Sequence, residues 1–155
     1  MNVIDIMTRS PKTIRHDATL REALELMEEV GCRHLPVLSR EKHLVGIISD
    51  RDCRLALNSP HIMRERWQDE AIINQTRVAS IMSPAPIIVE SDVPAAEAAR
   101  LMLIHRISAL PVMRGETLIG IVTTSDILAA FMTLEKKLAA LPGYQPSDGN
   151  NHVML

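Results

Sequence analysis

Two apolar runs, LVGII at 44–48 and LIGIV at 118–122, are almost free of polar residues. That is the pattern of strands buried on both faces. A short polar stretch before each separates it from another strand candidate, HLPVL at 34–38 and ALPVM at 109–113. Upstream of these the period changes. Leu20, Ala23, Leu24 and Met27 recur at i, i+3, i+4 and i+7, and Ala95, Ala98, Ala99 and Met102 repeat the stripe, so each segment predicts an amphipathic helix. Thr19 and Glu22 form a T-x-x-E capping box for the first, and Gly31 suits its C′ position. Pro94 lies near the first helical position of the second, where a missing N–H is harmless. KTIR at 12–15 and IIVE at 87–90 each follow a proline and suit short strands. A further helix starts at SDRD and at TTSD. The element order is therefore β-α-β-β-α, twice.

The residues repeat as well as the pattern. Val3, Ile6, Met7, Pro11, Asp17, Glu22, Leu35, Pro36 and Val37 recur as Val78, Ile81, Met82, Pro86, Asp92, Glu97, Leu110, Pro111 and Val112, and one residue is lost in the polar turn before Leu118. A half of about 60 residues buries little surface alone, so the two halves are expected to pack together about a pseudo-two-fold axis. The fold class is α/β (α+β), with the two repeats packed sheet to sheet. The expected boundaries are 1–58 for the first repeat, 59–76 for a partly helical linker, 77–141 for the second repeat with a helical extension, and 142–155 for a flexible tail. The linker reads as a charged amphipathic helix around Ile62, Arg66 and Trp67, with Trp67 an anchor on the core or on a dimer mate. Apolar residues at helical spacing continue through 127–141, as in a helix that packs on a partner.

Composition narrows the function classes. The 155 residues carry a net charge of −2 and only three aromatics, Trp67, Phe131 and Tyr144. There is no basic footprint for nucleic acid and no stacking platform for bases. No window approaches the ~18 consecutive apolar residues of a membrane span, and the N-terminus has no signal-peptide pattern, so the expected location is cytoplasmic. Cys32 and Cys53 form no C-x-x-C pair and are expected to be reduced. The six histidines make no H-x-x-x-H or Cys/His cluster, and no Walker, G-x-G-x-x-G or Ser-His-Asp pattern stands out. Neither a metal site nor an enzyme is expected.

The full series is IMT-x-x-P, helix, RHLPV and G-h-h-S-x-x-D, then IMS-x-x-P, helix, SALPV and G-h-h-T-x-x-D. It resembles a tandem pair of CBS domains, or Bateman module, over about residues 2–58 and 77–138, as in stand-alone bacterial-type CBS proteins. The resemblance implies a regulatory module that binds AMP, ADP, ATP or S-adenosylmethionine in clefts between the repeats and signals through dimer or partner contacts, with a homodimer as the usual assembly. No cofactor is required; the adenine nucleotide is the regulatory ligand. It also implies that adenine lies against the first strands, here Thr13, Ile14, Ile88 and Val89, and against the residues before LPV, here Arg33, His34, Ser108 and Ala109.

GIISDRD and GIVTTSD supply the rest of such a site. Gly46 and Gly120 let backbone approach a flat ligand. Ser49 and Thr123 stand at helix N-termini, which favour phosphate. Asp52 and Asp126 suit the two hydroxyls of a ribose. The same residues also make ordinary helix caps, and the strand aliphatics also make ordinary core. Two copies inside matching repeats favour a ligand site. Arg33, His34 and Arg51 have neutral counterparts Ser108, Ala109 and Ser125, so phosphate is expected chiefly at the basic residues of the first copy. The rival is a structural adaptor with empty clefts that binds an unknown regulated protein.

Overall fold

The computed structural model describes residues 1–57 and 66–143, with backbone alone at 66–68. The first repeat runs α1 (Val3–Ile6), β1 (Thr8–Arg9), β2 (Ile14–Arg15), α2 (Leu20–Val30), β3 (His34–Leu38), β4 (Leu44–Ser49) and α3 (Asp50–Leu57). Helix α4 (Arg66–Gln75) leads to the second, with α5 (Val78–Ile81), β5 (Ser83–Pro84), β6 (Val89–Glu90), α6 (Ala95–His105), β7 (Ala109–Arg114), β8 (Thr117–Thr123) and α7 (Thr124–Ala139). The side chains of Ile62 and Trp67, and the tail from 144 onward, lie outside the described residues.

The sequence cues explain the helix ends. Thr19 Oγ1 accepts from the Glu22 amide while the Glu22 carboxylate accepts from the Thr19 amide at 2.6 Å, closing the capping box. Gly31 ends α2 at φ 70°, and Arg106, the residue in the same place after α6, adopts φ 54°. That left-handed conformation costs a residue with a Cβ about 1 kcal/mol or more.

The chain forms two four-stranded sheets, ordered β2-β3-β4-β5 and β1-β8-β7-β6. Each borrows its edge strand from the other repeat. Thr8 and Arg9 pair with Ile121 and Gly120, while Ser83 and Pro84 pair with Ile47 and Gly46. The first strands are shorter than the patterns at 12–15 and 87–90 predicted, two residues each. The IMT-x-x-P and IMS-x-x-P segments instead form α1 with β1 and α5 with β5, which cross over. The glycines make the crossing feasible. A Cβ on Gly120 would sit 2.4 Å from Met7 Sδ and 3.1 Å from Thr8 O, and one on Gly46 would sit 2.4 Å from Met82 Sδ and 3.0 Å from Ser83 O.

In β3, Leu35 and Val37 face outward with Ile48 and pack under Leu20, Ala23, Met27 and Cys53; Leu110, Val112 and Val122 do the same with Val3, Ala98 and Met102. Strand alternation turns Pro36 and Pro111 to the opposite faces, and both are also fully buried. Helices therefore cover the outside of each sheet, and the two sheets cover one another on the inside. Pro36 fits an interior strand because β2 pairs only with Val37 and Leu38. Its missing N–H thus costs no bond to β2.

Candidate functional site

The ladders assemble the site one repeat at a time. In the first, His34 lies opposite Ser49, and Arg33 O accepts from the Asp50 amide at 3.0 Å. In the second, Ala109 lies opposite Thr123, and Ser108 O accepts from the Thr124 amide at 3.0 Å. The residues before LPV are thereby fixed against the start of the following helix. Because β2 and β6 begin pairing only at Val37 and Val112, the strand edges at His34–Pro36 and Ala109–Pro111 have no strand beside them on that side.

The helix starts are true caps. The Ser49 amide and Oγ donate to Asp52 Oδ2 at 2.8 and 2.7 Å, and the Thr123 amide and Oγ1 donate to Asp126 Oδ2 at 2.7 and 2.8 Å. Each hydroxyl oxygen in turn accepts from the Asp amide. The cap occupies one carboxylate oxygen. Among the described residues Oδ1 of Asp52 and of Asp126 has no protein partner, so capping and ligand binding do not compete for the same atom.

Two of the cavities between the repeats are lined by these helix starts, and each is composite. The larger, of about 470 Å³, sets Pro11, Lys12, Arg33 and His34 of the first repeat against Ser108, Thr123, Ser125 and Asp126 of the second, with Arg51 at its border. The smaller, of about 340 Å³, sets Ser49, Arg51 and Asp52 against Ser83–Ile87, Arg106, Ser108 and Ala109. The expectation that phosphate belongs to the first copy therefore changes form. Arg33 and His34 line one cavity with the helix starts of both copies, and the exchanged strand β1 brings Pro11 and Lys12 to the same cavity.

The strand residues named from the sequence go elsewhere. Ile14 and Val89 point into the two cores, and Ile88 is 44% exposed and lines neither cleft. Thr13 lines a separate cavity of about 520 Å³ beside Lys42, His43 and Glu116. Two-residue strands leave no room for a ligand-facing position between core positions. Lys12 and the Ser83–Ile87 segment take that place instead, and the repeated IMT-x-x-P and IMS-x-x-P motifs were the signal for them. Gly46 and Gly120 also change role. Their missing Cβ makes room for Met82 and Met7, so close packing of protein on protein accounts for them.

His34 and Ser108 border both cavities, and His34 Nε2 lies 2.9 Å from Ser108 Oγ. Burial pushes the His34 imidazole toward its neutral form and Arg33 acts the same way, against the opposing pull of Asp50 and Asp52. Burial also pushes the Cys53 thiol up to about 11, with Asp52 and Asp50 adding to the shift, so this core cysteine is held in its neutral thiol form. Among the described residues no group of His, Cys, Asp and Glu is arranged to hold a metal ion, and no helix is long and apolar enough to cross a membrane.

Comparison with known proteins agrees with this geometry. A CBS domain-containing protein of Dictyostelium discoideum is 38% identical over 127 residues, covering 81% of this chain and 88% of the relative. The CBS domain pair of protein MJ0100, solved with 5′-methylthioadenosine and S-adenosyl-L-methionine, superposes with a TM-score of 0.74 at 27% identity, covering 86% of this chain and 98% of that one. CBSX2 in complex with AMP gives a TM-score of 0.71 at 29% identity, covering 86% and 98%. The family model of the CBS domain matches residues 3–59 and 78–133, one match per repeat. With two such matches and the exchanged-strand fold, the chain belongs to the CBS-domain family as a tandem pair.

Proposed function

We propose that this chain is a regulatory sensor that binds an adenosine-containing nucleotide between its repeats, and that the larger cleft is the principal site. The observation that carries this reading is the composite corner at Asp126. A half-buried carboxylate with one oxygen committed to the cap and the other unpartnered faces a cavity from the N-terminus of a 16-residue helix. The unpartnered oxygen suits a ribose hydroxyl, and the helix start suits a phosphate. Lys12, Arg33 and Arg51 bring three cations to the same cavity. Of its acids, Asp50 is already paired with Arg54 and Asp126 is half engaged by the cap. That balance favours a nucleoside phosphate over a sulfonium such as S-adenosylmethionine. Solved relatives bound to AMP, or to S-adenosyl-L-methionine with 5′-methylthioadenosine, support the ligand class.

The test is titration calorimetry and thermal shift with AMP, ADP, ATP and S-adenosylmethionine. Micromolar binding at millimolar ligand adds about 4 kcal/mol of stability. Asp126→Asn, which keeps the shape of the cap, is expected to weaken nucleotide binding about ten- to a hundredfold. No response to any of the four compounds refutes the sensor and leaves an adaptor that acts through protein contacts alone.

A further inference from the structure

The same backbone place borders both clefts, and the two repeats fill it differently. Gly31 ends α2 and lines the larger cleft, while Arg106 ends α6 and lines the smaller. The cap itself is one geometry. Each amide donates to the carbonyls three and four residues back, Gly31 to Glu28 and Met27 and Arg106 to Leu103 and Met102, and each residue is left-handed, at φ 70° and 54°. Glycine makes this turn without strain, so nothing in the cap calls for a Cβ, and a residue held there against its own backbone preference points to a use for its side chain. The cleft around it is cationic and in part apolar. Arg51 lines it from the first repeat, and the acid in its lining, Asp52, has one oxygen committed to the cap. Among the described residues neither Arg51 nor Arg106 has an acidic partner. Pro84, Pro86 and Ile87 add apolar surface.

We propose that Arg106 is a specificity-determining residue that, with Arg51, selects a polyphosphate over an uncharged or singly phosphorylated ligand in the smaller cleft. Arginine presents a fixed fork of donors and stays charged, which suits phosphate oxygens. Two guanidiniums from opposite repeats, set against one half-committed carboxylate, leave the cleft with excess positive charge. A single phosphate balances that charge only in part, whereas a chain of phosphates can meet both arginines. The apolar surface suits the base at the other end of such a ligand. Occupancy by the base rests on the chain being a nucleotide sensor; selection of the anion does not. Arg51 borders both clefts, but the larger has Gly31 in the place of Arg106, so Arg106 serves the smaller cleft alone. A basic residue past a helix C-terminus also favours the helix dipole, yet His105 already fills that role in the last turn of α6.

Titration calorimetry of the full chain with ATP, AMP, adenosine and inorganic tripolyphosphate tests it. Arg106→Gln removes the charge and is expected to weaken one ATP site about tenfold or more, with AMP weakened less and adenosine unchanged. Arg106→Lys, which keeps a charge, should lose less. Arg106→Gly relieves the left-handed strain, so it should lose the same ATP affinity while its urea midpoint does not fall, which separates lost recognition from lost folding. Where ATP binds, an affinity unchanged by Arg106→Gln, or reduced equally for AMP and ATP, overturns the proposal and leaves the sensor standing. Should no nucleotide bind, the sensor is refuted and tripolyphosphate is the probe. Binding that Arg106→Gln weakens then upholds selection of the anion, and no such binding overturns it.

Discussion

Gly120→Ala adds one methyl group where two repeats interlock, and its cost can be worked from the distances. The new Cβ would lie 2.4 Å from Met7 Sδ, far inside contact distance, and 3.1 Å from the backbone oxygen of Thr8. Met7 has rotatable bonds and can swing away. Thr8 O cannot move alone, because Thr8 and Arg9 are held in the β1–β8 ladder opposite Ile121 and Gly120. The expected loss is that of an overpacked core, about 2 kcal/mol, and for a chain of this size it lowers the melting temperature by about 4–8 °C. Chemical denaturation of Gly120→Ala, Met7→Ala and the double variant forms a cycle, in which the smaller side chain should relieve at least about 1 kcal/mol of the clash. Because β1 leads into Pro11 and Lys12, nucleotide affinity at the larger cleft should fall as well. Gly46→Ala should act in the same way through Met82 and the Ser83–Ile87 wall of the smaller cleft. Lost affinity with unchanged stability and no coupling to Met7 would refute this account and return Gly120 to the role of clearing space for a ligand.

Arg106→Gly should stabilise the fold by up to about 1 kcal/mol in urea denaturation, since glycine takes the left-handed C-cap without strain, as Gly31 does. Thr19→Ala removes the acceptor for the Glu22 amide and should cost about 1 kcal/mol by the same measurement. His34 has its folded pKa lowered, so below its ordinary value near 6.5 the unfolded chain binds a proton that the folded chain resists. Stability contributed by neutral His34 is present above about pH 6.5 and declines on acidification through that value. His34→Asn should flatten this decline in urea melts between about pH 5 and 7. A phosphate beside His34 favours its protonated form, so nucleotide affinity should rise over the same interval in the wild type and not in the variant.

Much of the local structure was legible because its causes are local. The stripe Leu20, Ala23, Leu24 and Met27, the Thr19–Glu22 box, the left-handed Gly31 and the helix starts at Ser49 and Thr123 each depend on residues within a few positions of one another. The repeat was legible too, since identical residues recur in register. The candidate site was only half visible. Ser49, Asp52, Thr123, Asp126, Arg33, His34, Ser108 and Ala109 do border the clefts, but Ile14 and Val89 are core residues and Lys12 went unnoticed. A two-residue strand has no periodicity to read, so nothing in KTIR distinguishes the residue that faces solvent from the one that faces the core.

By itself, then, the sequence determined the series of elements, their caps and the presence of two matching halves, because hydrogen bonding and side-chain spacing along one segment decide these. The tertiary structure decided which halves meet. The pairing of Thr8 with Ile121 and of Ser83 with Ile47 spans more than a hundred residues in the first case and only 36 in the second. At each crossing Met7 or Met82 lies over a glycine, a contact between segments far apart in the chain that no local preference specifies. Packing of the repeats turned two similar corners into composite clefts, so that Arg33 of one repeat lines the same cavity as Asp126 of the other. That assignment is a property of the packed pair, and neither repeat contains it alone.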